Sequence, residues 1–186
     1  MNSNLESVIK QIDDLLTQKD TVIVAIDGKC TSGKTTLAAQ LAQSYDCNVL
    51  HMDDFFLRPE QRTPTRYAEV GGNVDYERFR EEVLLPLQSE KEFSYRPFHC
   101  KTFTLSAPVT VTPKRLTIIE GSYSMHPHFG DPYDLKTLLT VDPETQKQRV
   151  LERPSFVQER FFTQWIPMEN RYLEHFRISD KADLIL

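Results

Sequence analysis

The chain has 186 residues, the size of one ordinary domain with little room for a second. Hydrophobic residues make up 39% and charged residues 26%, a packed composition that excludes a disordered or low-complexity chain. Lys and Arg number 22 against 27 Asp and Glu, so the basic surplus needed for sequence-independent nucleic-acid binding is absent and nucleic acid is not an expected partner.

Leu5, Val8, Ile12, Leu15 and Leu16 recur at helical spacing, which predicts an amphipathic helix over residues 1–20 packed on the domain. The same segment carries acids and no small-residue cleavage site behind an apolar core, so it does not read as a secretory signal and a cytoplasmic setting is expected. TVIVAID is a short β-branched run ending at Gly28, as in a strand buried on both faces of a parallel sheet. Its Val22 to Ile26 stretch is the longest aliphatic run, far short of the roughly 20 residues that cross a bilayer, so no membrane partner is expected. Thr35 to Ser44, with its alanines and with Leu37 and Leu41 four apart, is helix. Asn48 to Met52 offers a second strand, and residues 53–75, rich in turn formers, a long loop.

Phe79, Val83, Leu84 and Leu87 share one face of a helix over 76–88 that Pro86 should end or kink. Residues 91–113 alternate in part and suggest a small β-rich excursion on the substrate side. LTIIEG and TLLTVD are further buried strands, and Asp142 before Pro143 marks a helix start with Asp142 as N-cap. Helices over 144–152 and 156–176, the second breaking near Pro167, lead to a last strand in ADLIL; Trp165, Met168, Tyr172, Leu173 and Phe176 form a packing face. Strands alternating with helices give an α/β fold with a central parallel sheet flanked by helices, in a single domain over 1–186. The three cysteines, Cys30, Cys47 and Cys100, are widely spaced and read as reduced thiols without a disulfide or zinc framework.

Gly28 to Thr35, GKCTSGKT, satisfies G-x-x-x-x-G-K-[ST] between a strand and a helix, the context this phosphate-binding loop requires. Backbone N–H groups of Lys29, Cys30, Thr31, Ser32 and Gly33 and of the helix start at Lys34, Thr35 and Thr36 can surround phosphate oxygens. Lys34 should reach the β- and γ-phosphates, and the Thr35 hydroxyl should ligate magnesium. Cys30 in this positive loop is expected to have a lowered pKa and to be oxidisable. No NKxD or LSGGQ segment accompanies the loop, which weakens the GTPase and transporter-ATPase readings. Asp53 and Glu120 close strands and should emerge beside the loop, because ligands sit beyond the carboxyl ends of strands in open α/β sheets. The histidines read as packing or surface residues rather than metal ligands.

HMDDFF at 51–56, GGNVDYERF at 71–79, IIEGSY at 118–123, YDLKTLLTVDPETQKQRVLER at 133–153 and the terminal ADLIL together resemble the uridine kinase and phosphoribulokinase family, from about residue 20 to 186. The likeness extends to short bacterial uridine kinase-like proteins, and HMDDFF with a nearby proline is also similar to the nicotinamide riboside kinases. The resemblance implies a P-loop NTPase three-layer fold, ATP and magnesium as cofactors, and phosphoryl transfer to the primary hydroxyl of a nucleoside-like small molecule. It makes Asp53 and Lys34 catalytic, with Asp53 accepting the proton from, or orienting, a ribose 5′-hydroxyl. Asp75 would hold the ribose diol, Glu120 would lie near magnesium with Thr35, and Arg149 and Arg153 of a short lid over 149–162 would supply cations to the phosphates. Phe98 and His99 fall where the family faces the base, but Pro97-Phe98-His99 followed by Phe103 lacks the family's base-reading groups. Uridine or cytidine therefore leads, with nicotinamide riboside or another small alcohol as alternative. A different class, an ATP-binding switch without turnover, would draw on the short lid; Asp53, Asp75 and Glu120 together argue against it.

Overall fold

In the computed structural model, which describes residues 3–186, the chain runs α1 (Ser3–Gln18), β1 (Val22–Gly28), α2 (Lys34–Ser44), β2 (Cys47–His51), α3 (Pro64–Ala68), α4 (Tyr76–Phe79), α5 (Leu85–Leu87), β3 (Phe93–Tyr95), β4 (Phe98–His99), β5 (Thr104–Leu105) and β6 (Val109–Val111). It continues through β7 (Leu116–Glu120), β8 (Leu135–Leu139), α6 (Pro143–Leu151), α7 (Ser155–Arg160), α8 (Ile166–His175), α9 (Ile178–Lys181) and β9 (Leu184–Ile185). Residues 1 and 2 of the expected first helix lie outside the described residues. The central sheet has five parallel strands in the order β2-β7-β1-β8-β9.

β1 lies between β7 and β8, which explains its unbroken apolar run: Val24 and Ile26 face one side, Ala25 the other, and all are fully buried. Leu5, Val8 and Ile12 of α1, with Leu37 and Leu41 of α2, close the first face, each buried side chain contributing about 1.5–3 kcal/mol. Phe55, Phe79, Val83 and Tyr95 cover Ile119 on the second face, and Tyr172 and Ile178 cover Ala25 and Leu138. This is a three-layer α/β/α fold. All four long strands end at one edge, so the loop after Gly28, the turn after His51 and Glu120 meet there. The expected excursion is present as two nested antiparallel pairs, β3 with β6 and β4 with β5. Among the described residues no helix is long and apolar enough to cross a membrane.

Three expectations need correction. Residues 53–75 are not one irregular loop: they hold 3₁₀ turns at Met52–Phe55 and Pro59–Gln61, and α3, which Thr63 caps through Arg66 N–H with Pro64 in the first turn. The prolines expected to break helices do not. Leu85 N–H bonds to Arg80 O before Pro86, and Ile166 N–H bonds to Phe161 O before Pro167, so a π-helical turn precedes each proline and the helix passes through. The wider turn relieves the clash that a proline ring makes with the carbonyl four residues back. On the late packing face only Tyr172 is fully buried, whereas Trp165, Met168, Leu173 and Phe176 are partly covered.

Candidate active site

The loop between β1 and α2 is shaped by its glycines. Gly28, at φ 142°, runs so close to β8 that a Cβ there would stand 2.1 Å from the Leu139 carbonyl oxygen, and Gly33, at φ 102°, turns the chain into α2. Thr31 holds the left-handed region at φ 63° without being glycine, backbone strain of the kind that gathers at binding loops. Lys34 is buried and curls back to donate to Gly28 O at 2.9 Å and Lys29 O at 2.7 Å. The buried hydroxyls of Thr31 and Ser32 have no hydrogen-bond partner among the described residues. A cavity of about 670 Å³ opens on this loop, with Thr36, Arg149 and Arg153 on its wall, and Arg149 donates to Thr31 O at 2.7 Å. Orphaned hydroxyls, a helix N-terminus and two arginines around one cavity fit a polyphosphate.

Strand register sets the next residues. Glu120 pairs with Ile26 of β1 and with His51 of β2, so its carboxylate meets the start of α2. The Thr35 hydroxyl donates to its two oxygens at 3.1 and 3.2 Å, and His51 Nδ1 donates to Oε1 at 2.6 Å. That bond to the carboxylate raises the His51 pKa. Asp53, in the turn just beyond β2, is exposed to solvent, yet the protein crowded about it and the Glu120 carboxylate push its carboxyl up, with Lys34 opposing. Asp54 turns away and accepts from Tyr95 OH at 2.9 Å. Among the described residues no cluster of three or more His, Cys, Asp or Glu is placed to hold a metal. Thr35 and Glu120, with Asp53 nearby, instead supply a few hard oxygens, the donor set magnesium uses when phosphates and waters complete its shell.

Asp75 and Phe98, both expected to face a substrate, are buried. The Asp75 carboxylate is 1% exposed; one oxygen accepts from Arg78 N–H at 3.2 Å and caps α4, while the other faces the Nε atoms of Arg58 and Arg78, each at 3.5 Å. The carboxylate is thus enclosed by two guanidinium groups rather than open to a diol. Phe98 is buried, and His99 stands exposed with its Nδ1 3.0 Å from the Thr102 hydroxyl.

No family model and no curated protein matches the chain. Solved structures do. A possible uridine kinase from Bacillus stearothermophilus is 22% identical with a TM-score of 0.69, covering 97% of this chain and 99% of its own. The D-glycerate 3-kinase from Cryptococcus neoformans is 11% identical with a TM-score of 0.61, covering 98% and 89%. The YGR205w protein is 14% identical with a TM-score of 0.58, covering 96% and 84%. The chain has the fold of the uridine kinase-like P-loop kinases. The likeness is one of fold. Within this P-loop kinase fold, Lys34, Thr35, Glu120 and Asp53 converge at one sheet edge, whereas Asp75 and Phe98 are turned inward.

The expected reactivity of Cys30 is overturned. Burial and the neighbouring Glu169 carboxylate push its thiol up to about 12, outweighing Lys34. Glu169 of α8 accepts from Cys30 N–H at 2.7 Å and from the Ser122 hydroxyl at 2.8 Å. Asp27, fully buried, accepts from the N–H groups of Gly28, Tyr123 and Met125 and from Tyr172 OH at 2.7 Å, and burial raises its pKa. These residues pin the phosphate loop from behind, and sequence reasoning missed them. The one available signal was Asp27 itself, a carboxylate at the end of a buried strand, which needs donors to offset its desolvation.

Proposed function

We propose that the protein is an ATP- and magnesium-dependent kinase that transfers the γ-phosphoryl group to the primary hydroxyl of a small alcohol. The observation that carries the reading is the convergence of Lys34, Thr35, Glu120 and Asp53 beside a loop with orphaned buried hydroxyls. Two of the structural neighbours are described as a possible uridine kinase and a D-glycerate 3-kinase, which supports a small-molecule acceptor.

In this reading loop N–H groups and the Thr31 and Ser32 hydroxyls hold the phosphates, and Lys34 leaves its two carbonyls to meet the β- and γ-oxygens. Thr35 and Glu120 would hold magnesium, which when bound neutralises charge on the phosphate oxygens. Asp53 orients the acceptor hydroxyl and takes its proton as the oxygen bonds to the γ-phosphorus; the bond to the β–γ bridging oxygen breaks and ADP leaves. Arg149 and Arg153 add cations from the cavity wall. Uridine or cytidine is the acceptor that the sequence resemblance favours, with nicotinamide riboside or another small alcohol as alternative. A pure ATP switch has no use for a carboxylate on the acceptor side, which favours the kinase.

The test follows γ-labelled phosphate from ATP into an acceptor. Transfer that EDTA abolishes and Lys34→Ala lowers by at least a hundredfold is the expected outcome. Label released only as inorganic phosphate, with every acceptor, would contradict it.

A further inference from the structure

The acceptor side of the site is cationic where a neutral sugar would ask for a carboxylate. Asp75 is sealed, and Arg58, 37% exposed, pairs with it from outside at 3.5 Å. Arg62 is less engaged. Its Nε donates to Leu57 O at 2.9 Å, and its guanidinium lies 4.8 Å from the Phe103 ring and 5.7 Å from the Phe98 ring. Arg58 is paired with Glu60 and Asp75, and Arg66 with Glu69 and Glu77, but Arg62 has no carboxylate partner among the described residues. Aromatic rings that fix a guanidinium while leaving its two Nη atoms free preorganise the planar fork that binds carboxylate or phosphate bidentately.

The position of this fork ties it to the reaction. Phe98 and Phe103 flank the β4–β5 turn, and β4 packs against the Met52–Phe55 turn that carries Asp53. Cys100 lies in the same turn, where burial pushes its thiol up, with Arg62 and Arg160 opposing and Asp53 adding to the rise. Arg160 is a further cation without a carboxylate partner among the described residues; its guanidinium stands 5.2 Å from the Trp165 ring.

We propose that Arg62 forms an anion-binding subsite for the acceptor, so that the substrate is a small alcohol bearing a carboxylate or phosphate group rather than a neutral nucleoside. The identification of the ligand as acceptor rests on the kinase reading; the binding of an anion does not.

Calorimetric titration of D-glycerate and of glycerol 3-phosphate into the Mg-ADP-loaded protein, with glycerol and uridine as neutral controls, tests the subsite without turnover. We expect at least one anion to bind more tightly than either neutral control. Arg62→Gln should weaken it at least tenfold with ADP affinity unchanged, and Arg62→Lys should fall between. The anion that responds identifies the group as carboxylate or phosphate. Failure of both anions to bind, or binding indifferent to Arg62→Gln, overturns the subsite. Arg62-dependent binding with no acceptor-stimulated ADP release would keep the subsite and remove the kinase. Turnover of uridine or glycerol that Asp53→Asn abolishes and Arg62→Gln leaves unchanged would keep the kinase and remove the subsite.

Discussion

Two thiols near the site differ in what surrounds them. Cys30 is packed behind the phosphate loop against Glu169, with its thiol pushed up to about 12, whereas Cys100 is exposed on the excursion. Iodoacetamide at pH 8 is therefore expected to label Cys100 and spare Cys30, read by peptide mass spectrometry; equal labelling would mean that the loop opens from Glu169. At this scale Lys34 and Thr35 were legible from one motif, and Asp53 and Glu120 from their place at strand ends. Asp75 was expected to hold a ribose diol; its place as the cap of α4 and a buried partner of Arg58 and Arg78 was not legible, because those contacts depend on how residues 53–75 fold back. Asp27 and Glu169 were hidden for the same reason: their partners Tyr172 and Cys30 lie more than a hundred residues away in the chain.

At the scale of elements, α8 is fastened to the phosphate loop by Glu169 on Cys30 N–H and to the end of β1 just before it by Tyr172 on Asp27. The same helix continues from α7 and the π-helical turn over Phe161–Trp165, so the segment expected as a lid and the loop that would hold phosphate share one rigid connection. Tyr172→Phe removes one of four donors to a buried carboxylate, and stability is expected to fall by about 1–3 kcal/mol in urea denaturation. Glu169→Ala leaves a loop N–H unpaired and should weaken ATP binding several-fold by calorimetry as well as lowering stability; unchanged affinity would confine Glu169 to a packing role. Strand and helix order was legible because buried strands read as continuous β-branched runs. Helix continuity through Pro86 and Pro167 was not, since the π-helical turn that admits each proline is a matter of backbone hydrogen-bond register that no residue type announces.

For the whole molecule, a buried imidazole is one contributor to the pH dependence of stability. His126 stacks on Tyr76 with ring centroids 4.7 Å apart, burial lowers its pKa from 6.5 to about 4, and it is uncharged in the fold at neutral pH. The unfolded chain takes up that proton below about pH 6.5 and the folded one only near pH 4, so this contribution is full above pH 6.5 and is lost as pH falls toward 4, a gap worth about 3 kcal/mol. Asp27, Asp53 and Glu169, with raised pKa values, act in the opposite sense on acidification. His126→Phe isolates the imidazole: urea denaturation from pH 7 to 4 should show the wild type losing up to about 3 kcal/mol more than the variant, and parallel curves would contradict it.

The reaction itself is decided by ADP release from Mg-ATP across a panel of ribonucleosides, nicotinamide riboside, glycerol, D-glycerate and glycerol 3-phosphate, with Asp53→Asn beside the wild type. We expect saturable release with one acceptor class, lowered by orders of magnitude in Asp53→Asn while ATP affinity is kept. Acceptor-stimulated release that survives Asp53→Asn intact, or tight ATP binding that no acceptor converts to ADP, would contradict the kinase mechanism built on this site.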